Sequence, residues 1–133
     1  MKKKVLSVVL ILFCAAVLIL NFTFVRVNNR DTAIARYIYA DKNITAEISE
    51  EDTKDIAEIL DGKHISFFDL PSCGFNENVA VVIGNKTFCI ACDDCATIFY
   101  KDKVIKGYIN LEADENEKIR TILEDYGFAW PCV

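Results

Sequence analysis

The sequence is poor in the residues on which most catalytic and metal chemistry depends. It has a single histidine, His64, in 133 residues, which excludes most histidine-based metal sites and acid–base designs. It has no glycine-rich phosphate loop, no G-x-S-x-G and no Ser/His/Asp arrangement, so there is no positive case for an enzyme and no cofactor is implied. Five glycines and two prolines are scattered singly, which leaves no flexible linker and no low-complexity segment. Acidic residues are absent from residues 1–30, where Lys2, Lys3, Lys4, Arg26 and Arg30 give a charge of +5. The remaining 10 basic residues stand against all 20 acidic ones. An outer part that acidic would repel phosphate backbones, so nucleic-acid binding is not expected.

What the sequence has instead is one long apolar run. Val5 to Val25 is interrupted only by Ser7, Asn21 and Thr23. As a helix these 21 residues would span about 31 Å, against a hydrocarbon core of about 30 Å. A cleavable signal peptide has a shorter apolar region and small residues at its cleavage site. The nearest A-x-A, Ala33-Ile34-Ala35, lies beyond Arg26, Arg30 and Asp31. Cys14 lies mid-run behind Phe13, unlike a lipoprotein cysteine. The expectation is an uncleaved signal anchor over about 5–25, with cleavage and secretion as the alternative. Residues 1–30 would comprise a cytoplasmic lysine stub, the membrane helix and a short polar stalk over 26–33, with residues 31–133 forming one domain outside the cytoplasm. Basic residues before the helix favour a cytoplasmic N-terminus, and five cysteines beyond it suit an oxidising compartment. Abundant Ile, Lys and Asn suggest a bacterial source; in a eukaryote, Asn43-Ile44-Thr45 and Asn85-Lys86-Thr87 would be glycosylation acceptors.

Ile34 to Ile48 reads as two short strands, or one with a turn, around Asp41-Lys42-Asn43. Ser49-Glu50-Glu51-Asp52 is an N-cap followed by acids that suit the positive end of a helix dipole. Ile48 would staple that cap and Gly62 end a helix of about 50–61. Ile65–Phe68 looks like a strand. Val79–Ile83, Thr87–Ala91, Ala96–Tyr100 and Val104–Leu111 should form an antiparallel meander, because their connections are short. A second helix is expected over about Ala113–Tyr126, ended by Gly127, with the apolar tail Phe128–Val133 packed back on the domain. The fold class is α+β, with two helices on an antiparallel sheet.

Cys89-Ile90-Ala91-Cys92-Asp93-Asp94-Cys95 is the one motif of chemical aspect. Over these seven residues it resembles the C-x2-C-x2-C of a bacterial ferredoxin loop. Phe99-Tyr100 stand where the fourth cysteine and its proline should follow. A zinc site drawn from Cys73, Cys89, Cys92 and Cys95, with Cys132 as a further donor, lacks the usual second C-x2-C. A redox pair of Cys92 and Cys95 would make the chain a membrane-tethered thiol–disulfide oxidoreductase. Asp93 and Asp94 between them oppose thiolate formation. Structural disulfides are preferred: Cys92–Cys95 across a turn and Cys73–Cys132 between loops, with other pairings open. Cys89 is left as a buried free thiol and Cys14 as a second free thiol.

Asp93 and Asp94 could hold a cation but suit a solvated turn, and His64 has no evident partner. Tyr37, Tyr39, Tyr100 and Tyr108 suit either a binding surface or half-buried sheet positions. The expected role is a binding, sensing or envelope-complex module with an unidentified protein or small-molecule partner.

Overall fold

The computed structural model describes residues 1–68 and 71–132. Helix α1, Lys2–Thr23, is apolar all round and no part of the protein covers its central stretch. It is long and apolar enough to cross a membrane.

No stalk separates α1 from the folded part. Val25 is fully buried, and its N–H donates to the carbonyl of Lys63 (2.9 Å) while its own carbonyl accepts from Gly62 N–H (2.8 Å). Val27 N–H donates to Asp61 Oδ1 (2.9 Å). The stretch read as a polar stalk is therefore tied to the domain at its start, and packing begins at Val25 rather than at residue 31. The reason is local: an extended apolar pair, Val25 and Val27, finds the exposed end of the next helix and buries itself there.

Strands β1 (Ala33–Tyr39) and β2 (Lys42–Glu47) form a hairpin. Its turn places Ala40 at φ 50, a left-handed conformation uncommon outside glycine and asparagine. Helix α2 (Glu50–Leu60) starts at Ser49, whose hydroxyl accepts from Asp52 N–H, and it buries Thr53, Ile56, Ala57 and Leu60. Strands β3 (Val79–Ile83), β4 (Lys86–Ile90), β5 (Thr97–Lys101) and β6 (Lys106–Asn110) follow as the expected meander. Helix α3 (Ala113–Glu124) opens with a capping box between Glu112 and Glu115.

The six strands make one antiparallel sheet in the order β2-β1-β3-β4-β5-β6. β3 and β4 lie at its centre, which explains why both are apolar on either face. The architecture is α+β. One sheet face carries Ala35, Val81, Phe88 and Tyr100 in register and packs with Ile56 and Leu60 of α2 and Ile119 and Leu123 of α3. Phe128 joins this core from the tail.

Ile65–Phe68 is not a strand. Within it only Ser66 joins the sheet, exchanging two 2.8 Å backbone hydrogen bonds with Tyr108 at the outer edge of β6. The close approach needs Gly107, where a Cβ would stand 2.5 Å from Ile65 and 2.8 Å from the Ser66 carbonyl. The segment thus covers an edge that would otherwise present unpaired backbone.

Candidate functional site

The cysteine motif lies where β4 leaves the sheet. Ala91 to Ala96 is non-repetitive; the Ala96 carbonyl takes Leu111 N–H (2.9 Å), but carbonyls before it lie outside the ladder and need another donor. Arg120 of α3 supplies it. Its Nη2 donates to the carbonyls of Ala91 (3.0 Å), Cys95 (3.4 Å) and Asp93, and Asn116 Oδ1 accepts from its Nε (3.4 Å). Trp130 lies over the guanidinium at 4.5 Å and its indole N–H donates to the Arg120 carbonyl (3.3 Å). Burial pulls the Arg120 pKa down, while Asp94 and Asp93 pull it up. The arginine therefore ties together the turn, α3 and the C-terminal tail. Nothing in the sequence marked it, because an arginine next to Ile119 is ordinarily a solvated one.

This arrangement decides the disulfides. Cys92 and Cys95 are not bonded to each other. Cys73 pairs with Cys95 and Cys92 with Cys132, at Cα separations of 6.5 Å and 5.0 Å. The expectation of a Cys92–Cys95 bridge and a Cys73–Cys132 bridge is corrected accordingly. Arg120 gathers the carbonyls of this segment, and Asp93 Oδ1 accepts from Cys95 N–H (3.0 Å). So held, the segment directs its two sulfurs apart. Cys92 packs with Cys132 and Trp130 on the helix-covered face; Cys95 meets Cys73 on the other. Cys132 N–H also donates to the Cys92 carbonyl (3.3 Å), so the tail is laid beside the turn before any bridge is counted. The C-x-x-C pair consequently has no counterpart as a single redox unit.

The same pairing bears on metal. Among the described residues, Cys73, Asp93 and Cys95 bring three donor atoms within 4.8 Å of one another. Two of these are bonded to each other as a disulfide and are not thiolates, and zinc takes thiolates. Cys92 is likewise consumed in a bridge. Cys89 is free and buried in β4. Burial pushes its thiol up to about 11, with the Glu77 charge adding to the rise, so it is a protonated thiol at neutral pH. Cys14 is free and exposed on α1.

The second sheet face carries a row of Arg36, Ala80, Cys89, Phe99 and Tyr108 in register across five strands. The loop before β3 lies over part of it. Phe75 from that loop meets Phe99 at 6.2 Å and Tyr108 at 5.7 Å between ring centroids, and Phe99 meets Tyr108 at 5.4 Å. Between the rings, Cys73, Cys89 and Glu77 is an open recess of about 320 Å³. Lys101 hydrogen-bonds Glu77 at 2.6 Å and holds its carboxyl below the usual range. The recess is walled by three rings and two cysteines with the exposed Glu77–Lys101 ion pair at its rim, a mixed lining suited to recognising a group. The chain matches no family model, no curated protein and no solved structure.

The tyrosines divide by position. Tyr37 and Tyr100 are core residues, with the Tyr100 hydroxyl donating to Asp102 Oδ2 (2.6 Å). Tyr39 is exposed, and Tyr108 alone of the four lines the aromatic recess. His64 stands edge-on to Phe24 at 5.6 Å, far in the chain from the cysteine motif. Sequence reasoning missed Phe75 and Phe99 as recess walls. Only alternation along β5 hinted that Phe99 leaves the core face.

Proposed function

We propose that the chain is a single-pass membrane protein whose folded part lies outside the cytoplasm and acts by binding a protein or small-molecule partner. The observation that carries the binding reading is the aromatic recess of Phe75, Phe99 and Tyr108, braced by the Cys73–Cys95 bridge. Ring-lined and backed by the central strand β4, it costs little ordering on association. The apolar helix α1 supports membrane anchoring, and two bridges that close long loops support an oxidising compartment.

The reading is tested with a photocrosslinking residue in the full-length chain expressed in its membrane. Placed at Glu77 on the recess rim, it should give a discrete light-dependent adduct. At Glu58, exposed on α2, it should give none. Equal adduct patterns at both positions, or none at either, would overturn the assignment of the recess as the contact site.

A further inference from the structure

We infer that the folded domain makes a second contact with the lipid surface, through Phe67, Phe68 and Val104 beside the exit of α1. The inference rests on the reading that α1 crosses the membrane. Strand directions carry it. Phe24 and His64 pair antiparallel, and Ile65 N–H donates to the Thr23 carbonyl (2.7 Å). From His64 onward the chain therefore runs back alongside the end of α1. Ser66 in turn pairs antiparallel with Tyr108, so the start of β6 and the turn before it, residues 102–105, lie at that same end of the sheet. The chain also enters β1 at this end, because β1 is antiparallel to β3, β3 to β4, β4 to β5 and β5 to β6.

Three large apolar side chains are exposed there. Phe68 is 94% exposed, Val104 78% and Phe67 40%. Among the described residues beyond α1, the other exposed large hydrophobics are Ile38 and Tyr39, at the opposite end of β1. Phe67 is held in place rather than loose, since it lies over Gly107 on the segment pinned to β6. Lys103 and Lys106 flank Val104, are exposed, and take part in none of the four ion pairs among the described residues. Aromatic side chains with neighbouring lysines are the composition that sits at a headgroup boundary, apolar rings in and ammonium groups on anionic lipid. The acidic start of α2 follows β2 at this same end of the strands, but at the opposite edge of the sheet from β6 and this patch.

The test uses the full chain in phosphatidylcholine–phosphatidylglycerol vesicles whose acyl chains are brominated either near the headgroup or deep in the bilayer. Phe68→Trp adds a fluorophore to the native Trp130, and Leu12→Trp does so in the middle of α1. The Phe68→Trp increment should be blue-shifted and lose emission with shallow bromines, and the Leu12→Trp increment should lose emission with deep ones. Quenching of Leu12→Trp without quenching of Phe68→Trp would overturn the second contact and leave the anchor standing. A blue-shifted Phe68→Trp that bromine does not quench would place the ring against protein and also overturn it. If neither is quenched, the anchor reading fails and this contact with it.

Discussion

Arg120 is the residue on which most separate parts of the molecule converge. A buried guanidinium holding three loop carbonyls and stacked on Trp130 leaves each of those carbonyls unsatisfied when removed. Arg120→Ala should cost about 2–4 kcal/mol in denaturant unfolding. Arg120→Lys should recover only part of that, because an ammonium cannot present the planar fork. A cost equal to that of an ordinary surface arginine would refute this role. Ala40 offers the opposite case. Its φ of 50 is strained for alanine, so Ala40→Gly should raise stability by up to about 1 kcal/mol, the left-handed penalty less glycine's added chain entropy. An unchanged or lower melting temperature would contradict that.

At the scale of elements, the turn between β5 and β6 is held by one carboxylate. Asp102 accepts from Val104 and Ile105 N–H (2.7 Å each) and from the Tyr100 hydroxyl. Burial by itself would raise its pKa; the hydroxyl and the two backbone donors outweigh that and lower it. Glu115 is lowered first by its hydrogen bonds from Lys63, then by Glu112 N–H. A carboxyl whose folded pKa is depressed contributes stability above its unfolded value, about pH 4. That contribution is lost as pH falls through the lower folded value. The urea midpoint should therefore drop below about pH 4, and Asp102→Asn should flatten the drop while lowering the midpoint at neutral pH. A pH slope identical in the variant would exclude Asp102 as a source. Gly107→Ala should destabilise by about 1–3 kcal/mol by forcing residues 65–67 off β6.

At the scale of the whole molecule, the two bridges define the boundary of what can come apart. Closing loops with sequence separations of 22 and 40, each contributes about 3–4 kcal/mol in the chain-entropy account. Alkylation in denaturant without reductant should tag two thiols, Cys14 and Cys89, and prior reduction should expose four more. Peptide mapping should link Cys73 to Cys95 and Cys92 to Cys132; a Cys92–Cys95 peptide would refute the connectivity. The membrane-length run, the capped helices, the meander and the packed tail were legible in the sequence, because each is written in local periodicity and capping residues. Reading Val25 as the end of the membrane run and residues 26–33 as a polar stalk was no guide to Val25 and Val27, since what buries them is the end of α2, distant in the chain. Ile65–Phe68 has strand composition, yet only Ser66 finds an edge to pair with. The sequence by itself determined the three helices, the membrane-length apolar run among them, and the strands of the meander, for these follow from the chemistry of neighbours two to four residues apart. Which cysteines meet was decided by the tertiary structure alone. Pairing depends on where Arg120 draws the carbonyls of the Ala91–Ala96 segment and on which face of the sheet each sulfur then emerges, and both are set by residues far apart in the chain.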